Sequence, residues 1–155
     1  MSSPAQILQG QTINGWLVEQ RIEIFQGQTG GRFSTGYFVV KDGQKAFLKA
    51  MDLHEAIRHG LKAIELATRQ YNFERELLCL CRDRRLSHIV QLLDHGEHEL
   101  AELPIGQHGL LNRVYYMIFE LADGGDVRRE LTFDGAMPGS RKIHVLHQVG
   151  VALTQ

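Results

Sequence analysis

The Asp42-Gly43 pair lies between two short β-rich runs, Tyr37-Phe38-Val39-Val40 and residues 45–49, and this arrangement dictates a tight antiparallel hairpin. Both residues of such a two-residue turn need positive φ, which glycine adopts at no steric cost and aspartate tolerates. Upstream, residues 16–25 place Ile22 and Ile24 in alternation with Arg21 and Glu23, the period of a half-buried strand. Three strands in an antiparallel meander are therefore expected, with Gly27, Gly30, Gly31 and Gly36 clustered in and after the connection between the first two.

The pattern changes at residues 52–85. Leu53, Ile57, Leu61 and Ile64 recur every three or four positions, and Phe73, Leu77 and Leu80 continue that spacing, so this stretch reads as helix. Gly60 and the polar residues 68–72 are the expected division into a shorter and a longer helix, the latter ending in Arg82, Arg84 and Arg85. Two more strands follow at 89–93 and 114–120. Between them residues 96–112, with Pro104, Gly106 and Gly109, read as an extended loop or small insertion. Beyond the turn Asp123-Gly124-Gly125 come a short helix at 126–131 and a final helix at 141–155, patterned by Ile143, Leu146 and Leu153. The first dozen residues, polar and Gln-rich, read as a loosely held arm. No stop signal closes the last helix, which predicts a truncated chain. The fold class is α+β: a five-stranded antiparallel sheet with a packed helical element.

Composition narrows the function classes. A length of 155 residues suits one core, and 43% hydrophobic with 23% charged residues excludes a collagen-like, mucin-like or wholly disordered chain. The net charge of -1 gives no global attraction to nucleic acid or an anionic membrane. Apolar runs fall short of the roughly 18 residues a membrane helix needs, and the start lacks a signal pattern. Cys79 and Cys81, two apart on a helix, point to different faces and are poorly placed to bridge, so a reducing cytosol is the expected compartment. His95 with His98 and His144 with His147 lack a Cys or carboxylate set to complete a metal site.

The order strand, Gly-rich turn, strand, strand ending in Lys, helix with Glu, two strands and then Glu-x-x-x-Gly-Gly-Asp resembles a eukaryotic-type Ser/Thr protein kinase, from about Trp16 to Gln155. The resemblance implies a polar arm at 1–14, a small ATP-binding lobe at 15–119, a hinge at 120–125 and the first large-lobe helices at 126–155. Ala46-Phe47-Leu48-Lys49 resembles Val-Ala-Ile-Lys, which makes Lys49 the ligand of the α and β phosphates. Its carboxylate partner belongs on the following helix, where Phe73-Glu74-Arg75-Glu76 fits Phe-x-x-Glu and names Glu76. Glu74 is the other candidate; the two lie about 200° apart around a helix, so only one can face Lys49.

Centring the glycine loop on Phe33 puts Thr29, Gly31 and Ser34 on the three glycines of GxGxxG, and leaves Gly36 where a valine usually covers the base. Gly31, Phe33 and Ser34 are thus cofactor-binding candidates. Tyr115-Tyr116-Met117-Ile118-Phe119-Glu120-Leu121-Ala122-Asp123-Gly124-Gly125-Asp126 resembles the hinge segment. By that resemblance Phe119 stands beside the adenine pocket, the Glu120 C=O and Ala122 N–H bind the adenine edge, and Asp126 accepts from ribose hydroxyls. The implied ligands are ATP and Mg²⁺, and the implied partner is a protein substrate. The His-Arg-Asp loop, its Asn and Asp-Phe-Gly are absent, so the metal ligands are expected outside this sequence and the chain alone is not expected to catalyse. Two alternatives remain: a non-catalytic pseudokinase or interaction module, and a small-molecule phosphotransferase of the aminoglycoside kind. Large-lobe helices lacking their usual partners would leave an apolar face open to association.

Overall fold

The computed structural model describes residues 3–23, 33–100, 112–122 and 137–154. Gly31, Asp126, the Asp123-Gly124-Gly125 turn, the helix expected at 126–131 and most of the 96–112 segment lie outside the described residues. The strands are β1 (Thr12–Ile13), β2 (Trp16–Arg21), β3 (Ser34–Lys41), β4 (Gln44–Met51), β5 (Leu92–Glu99) and β6 (Arg113–Glu120). They form one six-stranded sheet in the order β1-β2-β3-β4-β6-β5, with every neighbouring pair antiparallel. The helices are α1 (Leu53–Arg58), α2 (Leu61–Asp83) and α3 (Gly139–Leu153). The architecture is α+β, as the sequence predicts, with a sixth strand that the sequence reading did not contain.

The β3–β4 hairpin closes as its turn residues require. Lys41 pairs with Gln44, and Asp42 and Gly43 take φ of 51° and 80°. Strand alternation then sorts the side chains of β4: Ala46, Leu48 and Ala50 are buried on one face, and Phe47, Lys49 and Met51 point to the other.

The first face carries a core of Val18, Tyr37, Val39, Leu48, Val114 and Ile118, closed by Ala5, Leu8 and Ile13 from the N-terminal segment. This corrects the loosely held arm. Leu8 and Ile13 are fully buried, which stabilises by about 1.5–3 kcal/mol each as an upper bound. The Tyr37 hydroxyl donates to the Ala5 carbonyl at 2.7 Å and accepts from the Leu8 N–H at 3.4 Å. Asp52, at the end of β4, accepts from Ser3 Oγ at 2.7 Å and Gln6 Nε2 at 3.2 Å, while its other oxygen caps α1 through the Glu55 N–H at 3.0 Å. One buried carboxylate thus joins the segment's start to a helix start.

The second face is covered in part by α1 and α2, separated at Gly60, whose φ of 93° ends the first helix and starts the second. The polar residues 68–72 do not divide the helix; α2 runs unbroken for 23 residues because tertiary docking overrides weak local propensity. Its buried residues are Ala67, Tyr71 and Leu78, spaced four and seven apart. The expected stripe is instead exposed, Phe73 at 68% and Leu77 and Leu80 near half. The strand expected at 89–93 begins at Leu92 and continues to Glu99, taking in the first part of the segment read as a loop. Along α3, Ile143, Leu146, Val149 and Leu153 are all exposed.

Asp52→Ala removes a helix cap and the acceptor of a buried hydroxyl. It is expected to lower stability by about 2–3 kcal/mol in urea unfolding and to speed proteolysis within residues 3–13.

Candidate functional site

Lys49 is built into the site by register. On β4 it pairs with Gly36 of β3 on one side and Met117 of β6 on the other, so its stem crosses the sheet face that α2 covers. Its Nζ lies 2.6 Å from Glu74 Oε2, with the two side chains about one-third exposed. Glu74 therefore replaces Glu76 as the partner. The reason is helical phase: Glu74 falls between Tyr71 and Leu78 on the buried stripe, whereas Glu76 turns outward, 72% exposed, with Arg75 Nη2 at 3.7 Å. The stripe of Ala67, Tyr71, Glu74 and Leu78 follows i, i+4, i+7, i+11, a spacing the sequence carries but which the larger hydrophobes Phe73, Leu77 and Leu80 outweighed.

Tyr71 fixes the helix at the height this pair needs. Its hydroxyl donates to the Tyr116 carbonyl at 3.0 Å and approaches the Gly96 carbonyl at 3.4 Å, tying α2 to β6 and β5. Burial pushes its phenol up to about 12, so it remains a donor at neutral pH. Its ring also meets Tyr115, with centroids 5.8 Å apart. Sequence reasoning missed Tyr71 because it sat in the polar stretch read as a break.

Between α2 and the sheet is a cavity of about 390 Å³. Phe33, Met51, Ala67, Tyr71, Leu77 and Met117 supply apolar walls, with Ser34 beside them, and Lys49 and Glu74 supply charge. An ammonium has three N–H donors, so Lys49 can keep Glu74 and still donate to an anion. Phe33 does not project from a hairpin tip. It is 9% exposed, its ring lies 5.7 Å from that of His59, and its carbonyl accepts from the Asp52 N–H at 2.8 Å. Burial of the ring among Met51, Ala56 and Ala67 accounts for this placement.

The expected hinge begins where β6 ends. Phe119 is buried and pairs with Phe47 across the strands, their rings 6.0 Å apart. Glu120 is exposed; its N–H donates to the Gln91 carbonyl and its Oε1 accepts from the Gln91 N–H, at 3.0 and 2.9 Å. Ala122 is exposed, two residues further on. Along β4, Phe47 faces Phe119 and Lys49 faces Met117, so Lys49 stands between the Phe119–Ala122 end and the cavity under α2.

His95 and His98 have separate neighbours: His95 Nε2 is 3.6 Å from Cys79 Sγ, and His98 Nε2 is 2.9 Å from Gln11 Oε1. Among the described residues no group of three or more His, Cys, Asp or Glu is placed to hold a metal, and no helix is long and apolar enough to cross a membrane. No protein-family model matches the chain, and no curated protein is significantly similar to it.

Two substitutions separate the roles of these residues. Glu74→Gln is expected to cost about 1 kcal/mol in thermal or urea unfolding, Glu76→Gln close to nothing, with the Glu74 effect shrinking at high salt. Tyr71→Phe is expected to cost about 1–2 kcal/mol by leaving the Tyr116 and Gly96 carbonyls without that donor, read as an earlier urea midpoint at unchanged slope.

Proposed function

We propose that the chain is the ATP-binding part of a protein kinase that transfers the γ-phosphoryl group of ATP to Ser or Thr hydroxyls of proteins. The observation that carries the reading is the Lys49–Glu74 pair: one ammonium on an inner strand, held by a helical carboxylate, one strand away from the segment that leads to Glu120 and Ala122. In this reading Lys49 neutralises phosphate charge, and Glu74 and Tyr71 hold it in position. The Glu120 C=O and the Ala122 N–H meet the adenine edge. Asp126 would accept from ribose hydroxyls, and Gly31 and Ser34 would approach the phosphates. Mg²⁺ arrives on the phosphates, and its protein ligands belong to motifs this sequence does not contain. The chain by itself therefore binds nucleotide without transferring phosphoryl groups, and works in a reducing cytosolic setting.

A non-catalytic interaction module is the second reading, favoured by the exposed apolar row on α3.

The two readings differ in the response to nucleotide. Mg-ATP at a hundred times its Kd is expected to stabilise the wild-type chain by about 2.7 kcal/mol, seen as a rise in Tm of several degrees. Lys49→Met is expected to lose that rise. A wild-type Tm indifferent to ATP would overturn the kinase reading and leave the interaction module.

A further inference from the structure

Two cysteines share α2, and the fold treats them differently. Cys79 and Cys81 are both free, half-buried thiols, about 200° apart around the helix. Cys79 turns toward β5, where its Sγ lies 3.6 Å from His95 Nε2, within hydrogen-bonding reach for sulfur. The Cys81 sulfur has no such partner among the described residues.

The meeting of Cys79 with His95 is fixed from both sides. Strand pairing sets His95 opposite Met117, on the sheet face that α2 covers. The Tyr71 hydroxyl, about two helical turns before Cys79, reaches the Gly96 carbonyl at 3.4 Å, so helix and strand are held together one residue from the imidazole. The charged groups around the pair are otherwise engaged. Arg75 and Arg82, four residues before Cys79 and three after it, lean on the carboxylates that follow them, Glu76 at 3.7 Å and Asp83 at 3.5 Å. Glu97, two residues along β5 from His95, lies 3.6 Å from Arg113, and the Asp94 carboxylate accepts from the His95 backbone N–H and from Asn14. Among the described residues the thiol is the only hydrogen-bond partner of the imidazole.

A thiol becomes a nucleophile by losing its proton, and a base in contact with it can take that proton during attack. Metal chemistry would need a third ligand, and among the described residues no group of three is placed to supply one. A disulfide needs no further catalytic group, because it carries its own leaving group.

We propose that Cys79, with His95 as its base, is a site of reversible S-thiolation by disulfides of small thiols. His95 Nε2 takes the Sγ proton, and the thiolate attacks one sulfur of the reagent. The reagent's S–S bond breaks as its bond to Sγ forms, and the other half leaves as a thiolate that recovers the proton from His95. Cys79 is oxidised and the reagent reduced by the same electron pair, and excess small thiol runs the exchange backward. Lys49 takes no part, so this site stands apart from the nucleotide reading.

The test treats two reduced full-length variants with oxidised glutathione and follows the added mass of each intact chain over time. Cys81→Ser keeps only Cys79, and Cys79→Ser keeps only Cys81. The chain keeping Cys79 is expected to react about ten times faster when folded, and both are expected to react alike in urea. Adding His95→Gln to each is expected to slow Cys79 to the rate of Cys81 and to leave Cys81 unchanged, with thermal unfolding confirming that each variant is folded. Equal folded rates for the two single variants overturn the proposal, and that comparison needs no change at His95. A fast Cys79 that His95→Gln does not slow in a folded chain also overturns it, since exposure alone would then set the rate.

Discussion

Strand β4 is flanked by a strand on each edge and carries a buried cluster on each face, so its alternation settles what the rest of the molecule can do. Ala46, Leu48 and Ala50 are small or compact, which lets the N-terminal segment close over one face. Phe47, Lys49 and Met51 face the other way, and there an ammonium must be reconciled with an apolar cluster. Glu74 resolves that conflict at 2.6 Å, because a charge among apolar neighbours is tolerated only when it is paired. The position of α2 follows from the same need: the helix must bring a carboxylate to Lys49, and Tyr71, three residues earlier, holds it against β6 while it does so.

The N-terminal segment has a comparable logic. Four of its residues converge on two groups: Ala5 and Leu8 on the hydroxyl of Tyr37, Ser3 and Gln6 on the carboxylate of Asp52. Asp52 follows β4 directly and caps α1, so the segment, the inner strand and the first helix share one buried charged group. A stretch that composition alone marks as solvent-loving is packed into the core of the face it covers.

What could be read in the sequence was whatever local chemistry decides. The Asp42-Gly43 turn, the break at Gly60 and the placing of Lys49 at the end of an inner strand all follow from turn geometry and alternation, and all are present. The choice of Glu74 was not legible, because the stripe that docks α2 is made of Ala67, Tyr71 and Leu78 while more hydrophobic side chains face outward. Strand β5 was misplaced for a related reason. It is an edge strand with the sequence Leu-Leu-Asp-His-Gly-Glu-His-Glu, and a strand with one neighbour can carry polar residues where an inner one cannot. Hydrophobic pattern locates cores; it does not say which residue of a mixed helix a distant strand will select. Gly31 and Asp126 stay with the resemblance that named them.

The hairpin at Asp42-Gly43 has one more consequence, for folding fidelity. A two-residue turn fixes the pairing of β3 with β4, and slippage by a single position would invert β4, sending Lys49 among Tyr37, Val39 and Ile118, away from Glu74. An unpaired ammonium in that cluster would cost several kcal/mol, far more than the misaligned backbone bonds could recover. The charge that pairs with Glu74 in the finished molecule thereby also acts as a check on its assembly, rejecting a one-residue slip of the hairpin.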